Sequence, residues 1–198
     1  MARILEGRVK PVMIAAMRAE FLRYKALGEK AMAQLGETEL SAAPPGGGNS
    51  IAVICWHVSG NLRSRFTDFL TSDGEKPWRV RDEEFTPRHV SADELRAKWD
   101  QGWEVLLSTL HSLDDAQLDV TVTIRGQGLL VGEALLRALA HVSYHVGQIV
   151  YAAKAVRGSE WTSLSIPVGQ SDQYNQEPIL DRPPASETRI PRIKTDPR

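Results

Sequence analysis

Proline placement constrains this chain more than any other feature. The eleven prolines fall at positions 11, 44, 45, 77 and 87, and again at 167, 178, 183, 184, 191 and 197. Inside a helix a proline removes one hydrogen bond and clashes with the preceding turn, at a cost of about 3 kcal/mol. Long helices must therefore lie in the proline-free stretches 12–43, 46–76 and 88–166.

Each stretch carries apolar residues at helical spacing. A first helix is expected from about Val9 to Leu35, with Val12, Met13, Ala16, Met17, Phe21, Tyr24, Leu27 and Ala31 inward. Pro44-Pro45 and three glycines mark a loop. A second helix starts after Asn49 or Ser50, either a suitable N-cap. It buries Ile51, Ile54, Val58, Leu62, Phe66 and Phe69, and should stop near Asp73-Gly74. Glu75 to Val90 is a charged connection whose Trp78 and Phe85 should pack on the body. Ser91-x-x-Glu94 has the form of a capping box and opens a third helix with Leu95, Trp99, Leu106 and Leu110 inward. Val120, Val122 and Ile124 then alternate with polar residues, and Gly126-Gln127-Gly128 permits a turn, which reads as a small β-hairpin. A fourth helix follows from about Val131 to Val156 and ends at Gly158, with Trp161, Leu164 and Ile166 tucked against the bundle. The expected class is all-α, a four-helix bundle with the hairpin inserted before its last helix. One domain spans 1–176, and a polar, proline-rich tail occupies 177–198.

A formal net charge of -1 gives no excess of cations to neutralise phosphates, so nucleic acid is not an expected partner. Gly128 to Val156 is interrupted by Glu133, Arg137, His141, His145, Gln148 and Lys154, which argues against a membrane span. Residues 1–10 lack the apolar core of a signal peptide. The single cysteine, Cys55, has no internal partner, so a reducing cytoplasmic location is the default expectation. Its place two residues before His57 turns it away from that face, as a small buried residue.

His141-Val-Ser-Tyr-His145 concentrates the chemistry. Residues four apart share one helix face, separated by about 6 Å of rise, so two imidazoles can converge on one metal ion. A metalloprotease helix would carry Glu after the first histidine, and this chain has Val142. The stripe also holds Ala134, Ala138, Gln148 and Ala152, small or polar residues that leave room for a cavity. Gly147 would admit a close neighbour. A histidine pair on a helix is also compatible with surface or hydrogen-bonded core residues. His57, inside the second helix and one turn before Asn61, shifts the balance towards a metal. Three neutral imidazoles leave a coordination position open on a zinc-like ion, where water or a substrate atom can bind. Zinc, nickel, iron and copper all suit such ligands. Asp68, Glu133 and Tyr144 are lesser acid-base candidates, and Trp56, Trp99 and Trp103 are core or interface aromatics.

The set His57, His141, His145 and Gln148 resembles the DinB-like superfamily. The stretches Asn49–His57, Asp73–Trp78, Tyr144–Tyr151 and Trp161–Pro167 resemble one branch of it. The resemblance covers roughly residues 9 to 175. It implies a four-helix bundle with one divalent metal (zinc, nickel or iron) on His57, His141 and His145, often assembled as a homodimer. Some relatives in that superfamily use low-molecular-weight thiols, as thiol S-transferases or as a mycothiol-dependent isomerase, and many have no established activity. The first expectation is a metal-dependent thiol S-transferase, with Gln148 and Asn61 lining its pocket. The alternative is a non-catalytic dimeric bundle whose metal is structural or senses a ligand. The hairpin and the tail have no counterpart in the general superfamily pattern.

Overall fold

Local signals set the helix boundaries. In the computed structural model, which describes residues 13–176, Ser50 accepts a hydrogen bond from the Val53 N–H and opens a helix at Ile51. Ser91 does the same for Glu94. Gly158, at φ 57, closes the last long helix, a backbone conformation that favours glycine. The order is α1 (Met13–Met32), α2 (Glu37–Ser41), α3 (Ile51–Phe66), α4 (Ala92–Ser112), strands β1 (Thr121–Ile124) and β2 (Gln127–Leu130), α5 (Val131–Arg157) and α6 (Ser171–Gln176). Short 3-10 turns sit at Arg81–Phe85, Asp115–Gln117 and Gly158–Glu160. The expected positions 9–12 and the tail from 177 lie outside the described residues.

α3 is the central element. Twelve of its sixteen residues are buried, so it meets neighbours on nearly every side. It packs chiefly on α4 and, on another face, on α5, while α1 packs chiefly on α5. Trp99 and Trp103 of α4, Phe21 of α1, Leu62 of α3 and Ile149 of α5 are at most 1% exposed and belong to one core. α4 approaches α3 so closely that a Cβ at Gly102 would lie 2.6 Å from the Ser59 Cα. The first turn of α1 finds its cap far along the chain, where the Asp115 carboxylate accepts from the N–H groups of Met13 and Ile14 at 2.8 and 2.9 Å.

β1 and β2 pair antiparallel with Thr121 opposite Leu130 and Ile124 opposite Gln127. The hairpin is tied at both ends. At its turn the Asp73 carboxylate accepts from the N–H groups of Arg125 and Gly126 at 2.8 and 2.7 Å. At its base the first N–H groups of α5 donate back to it, Val131 to the Val120 carbonyl at 2.8 Å and Gly132 to the Leu118 carbonyl at 3.0 Å.

Several expectations require correction. The second long helix ends at Phe66, not near Asp73-Gly74. Asp68 turns the chain with φ 49, and Gly74 instead donates to the Thr123 carbonyl at 2.8 Å, docking the connection on the hairpin. The inward face of α1 runs through Ile14, Met17, Phe21, Gly28 and Ala31, leaving Met13 and Ala16 exposed. Trp78 is 49% exposed beneath the Arg63 guanidinium rather than packed inside. Val120 is also exposed, and Val122 is the hairpin's anchor. α2 and α6 are too short to carry a periodic signal. Among the described residues no helix is long and apolar enough to cross a membrane.

Candidate metal centre

α3 and α5 bring three histidines to one point. His57 lies in the middle of α3, and His141 and His145 are one turn apart on α5. His57 and His145 are buried and His141 is half-buried. One ring nitrogen from each lies within 4.8 Å of the others. His57 Nε2 and His141 Nε2 are 3.2 Å apart. Ligands at the usual Zn–N distance of about 2.0–2.1 Å around a tetrahedral ion stand roughly 3.3 Å from each other, so that pair is already at ligand spacing.

The other ring nitrogens of His57 and His145 are engaged in a way that sets their tautomers. Glu84 Oε2 accepts from His57 Nδ1 at 2.9 Å. Gln148 Oε1 accepts from His145 Nδ1 at 2.8 Å. Both bonds put the proton on Nδ1 and leave a lone pair on Nε2. His145 Nε2 is buried without a partner. The His57 Nε2 lone pair therefore faces His141 Nε2 at 3.2 Å, a distance spanned by a hydrogen bond from the imidazole of His141 or by a shared cation, and the lone pair of His145 beside them is left with no partner at all. The three histidines therefore fit a divalent ion, and the carboxylate behind His57 is the usual outer support of a metal-bound imidazole. His141 Nδ1 has no such support; it too is buried and unpartnered.

Glu84 is itself held firmly. Arg79 donates to both of its oxygens, each at 2.8 Å, and the Arg79 side chain is only 2% exposed. Burial alone would raise the Glu84 pKa, but hydrogen bonds from Arg79 and His57 more than reverse it and keep the carboxylate charged. The Phe85 ring lies 4.7 Å from the His57 ring and closes its other side. Burial pushes His141 down to about 3 and His145 down to about 4, reinforced in both by neighbouring histidines. Both imidazoles are thus neutral at pH 7, the state in which they ligate metals.

A cavity of about 290 Å³ opens beside the cluster, with His57 and His141 in its wall. Asn61, Ala134, Ala138 and Tyr144 line it as well. Gln148 is exposed and acts on His145 rather than on the cavity. Glu133 accepts from the Leu130 N–H at 2.9 Å and caps α5. Asp68 is at an exposed turn. Cys55 is fully buried, its thiol pushed far up by desolvation, with Sγ 3.5 Å from Met32 Sδ. Trp103 is fully buried within one chain, so it cannot contribute to an interface, whereas Trp56 lies under Arg88 and Lys98 at the surface. A methyl group placed on Gly147 would have nothing within 4 Å, so no close neighbour explains that glycine.

Glu84 is not identifiable from spacing, because it sits among Asp82 and Glu83 in a charged connection. A subtler signal points to it. Gly60 is one turn after His57 in mid-helix, where glycine costs roughly 0.5–1 kcal/mol relative to alanine. A Cβ there would lie 2.0 Å from Glu84 Oε1, so the missing side chain makes room for the carboxylate.

The family model described as a protein of unknown function (DUF1572) matches residues 10–170. No curated protein matches the chain.

Proposed function

Because the chain belongs to the DUF1572 family, whose description assigns no activity, we infer its function from the site: a divalent-metal protein of DinB-like four-helix-bundle type, acting as a metal-dependent thiol S-transferase. The observation that carries this reading is the buried, unpartnered His145 Nε2 beside His57 and His141 nitrogens at ligand spacing. A divalent ion bound there would supply Lewis acidity, lowering the pKa of a thiol or water. The chain's own residues do the rest. Glu84 and Gln148 fix the imidazoles of His57 and His145 with Nε2 forward. Phe85 shields the His57 ring from water. Asn61 and Tyr144 offer hydrogen-bonding groups along the cavity, and Ala134 and Ala138 leave it open. We place the domain at 1–176 and the protein in the cytoplasm.

The alternative, a non-catalytic homodimer with a structural or ligand-sensing metal, also has an observation in its favour. α5 exposes Leu136 at 57%, Tyr144 at 53% and Tyr151 at 76%, an apolar and aromatic surface interrupted by Arg137 that a second copy would cover.

Metal analysis of untagged protein, purified without chelator beside His57→Ala and His141→Ala, tests the centre. About one equivalent in the parent and little in either variant is expected for a three-histidine site. No metal in the parent, even after reconstitution with zinc, nickel or iron, would remove the basis of both readings. Metal-dependent turnover of generic electrophiles with glutathione, bacillithiol or mycothiol separates them: turnover supports the transferase, and its absence with every thiol leaves the non-catalytic dimer.

A further inference from the structure

The wall of the cavity beside the histidines contains five arginines and no carboxylate. Arg65 comes from α3, Arg79 and Arg81 from the connection, Arg125 from the hairpin turn and Arg137 from α5. Among the described residues three carboxylates form ion pairs with their guanidinium groups. Glu84 is taken by Arg79. Glu75 is shared by Arg65 at 3.1 Å and Arg125 at 2.9 Å. Asp82 meets Arg81 at 3.5 Å but is 97% exposed and weakly held. Among the described residues Arg137 has no ion pair. Among the described residues five guanidinium groups stand against these three carboxylates and that of Asp73, which leaves the concave space net positive.

That surplus is positioned rather than scattered. Arg137 is one turn before His141 on the same face of α5, so it points along the wall that carries the metal-binding ring. Arg125 is fixed through its backbone, whose N–H the Asp73 carboxylate holds. Burial lowers the Arg65 pKa, and the like charges of Arg79 and Arg125 lower it further, while Glu75 opposes them. Cations crowded in a half-enclosed space are stabilised by an anion, and the guanidinium fork matches carboxylate and phosphate oxygens.

We propose that this cavity binds the anionic head, a carboxylate or a phosphate, of a small substrate, with Arg137 and Arg81 as its clamp and the reacting group directed towards His57 and His141. This rests on reading the same histidines as the reactive centre. The volume of about 290 Å³ suits a small organic acid or phosphate ester.

Calorimetric titration of succinate and, separately, inorganic phosphate into zinc-loaded and metal-stripped protein tests the proposal. Neutral succinamide serves as the comparison. One-to-one binding of at least one anion is expected in the zinc-loaded protein, with none for succinamide, and the tighter anion identifies the head group. Arg137→Gln and Arg81→Gln, both at exposed positions, should each weaken binding ten-fold or more. Arg96→Gln, on α4 away from the cavity, should leave it unchanged. Failure of both anions to bind would overturn the proposal, as would equal binding of succinamide or equal affinities in all three variants. Anion binding by a protein that takes up no zinc would uphold the arginine clamp while refuting the metal reading. Zinc uptake without anion binding would do the reverse.

Discussion

Gly60→Ala adds a single methyl group next to the proposed metal centre, and the structure gives its consequence. The new Cβ would stand 2.0 Å from Glu84 Oε1 and 2.7 Å from its Cδ. Comfortable contact begins near 3.5 Å, so the carboxylate must retreat by more than about 1 Å. A flexible glutamate could swing away cheaply, but this one is held by two bonds from the buried Arg79 and one from His57. The His57 bond at 2.9 Å does not survive such a displacement. Loss of a carboxylate that supports a ligating histidine typically weakens metal binding by about 10- to 100-fold, or roughly 1.4–2.7 kcal/mol. Helix propensity acts in the opposite direction, since alanine stabilises a helix interior by about 0.5–1 kcal/mol over glycine. Disturbing the buried Arg79–Glu84 pair should exceed that gain, because breaking such a pair costs about 3–5 kcal/mol when a partner is lost outright. Competition against a chromophoric chelator and thermal melts with and without metal would read both effects. Unchanged metal affinity together with a higher Tm would refute the reasoning, because it would mean that Glu84 is not fixed where His57 needs it.

Three further outcomes are expected. Gly102→Ala should destabilise the fold by about 1–3 kcal/mol in a denaturant titration, since its Cβ would meet the Ser59 Cα at 2.6 Å and backbone cannot step aside; an unchanged midpoint would show that α4 can slide on α3. In metal-stripped protein the folded state keeps His141 and His145 neutral, with values of about 3 and 4, while the unfolded chain takes up protons below about pH 6.5. Stability should therefore fall as pH drops from 6.5 to 5, above the range where carboxylates titrate, and His141→Ala should flatten the slope in melts; a parent Tm independent of pH would contradict the burial of these rings. Cys55, buried and with its pKa raised by desolvation, should react with an aromatic disulfide reagent only after denaturation; fast labelling of native protein would show that α3 opens locally.

The three histidines are visible in the sequence because each lies in a long helix, where a periodicity of 3.6 turns position directly into direction. The alternation of Val120, Val122 and Ile124 reveals the hairpin for the same reason, with a period of two. The end of α3 is misleading because the apolar rhythm continues through Phe69, which is buried although the helix has already ended at Phe66. Burial and helicity coincide along most of α3 and separate at that point. Glu84 and the arginines of the cavity are not legible, since their meaning comes from contacts across the fold. Arg137 looks like an ordinary interruption of an apolar helix until Arg65, Arg81 and Arg125 are placed around it.

The bonds at the base of the hairpin act as an index mark for α5. Each residue of a helix turns the next by about 100°, so a slip of one position would swing His141 and His145 out of the cavity altogether. Residues inside a helix can shift register together, because each intrahelical bond has an equivalent one step along. The bonds from Val131 to Val120 and from Gly132 to Leu118 have no such equivalent. They set the phase of α5 at its first turn, and roughly three turns of hydrogen-bonded backbone carry that phase to His141. A two-stranded ribbon bonded to the first turn of α5 thereby helps to determine the direction in which the histidines point.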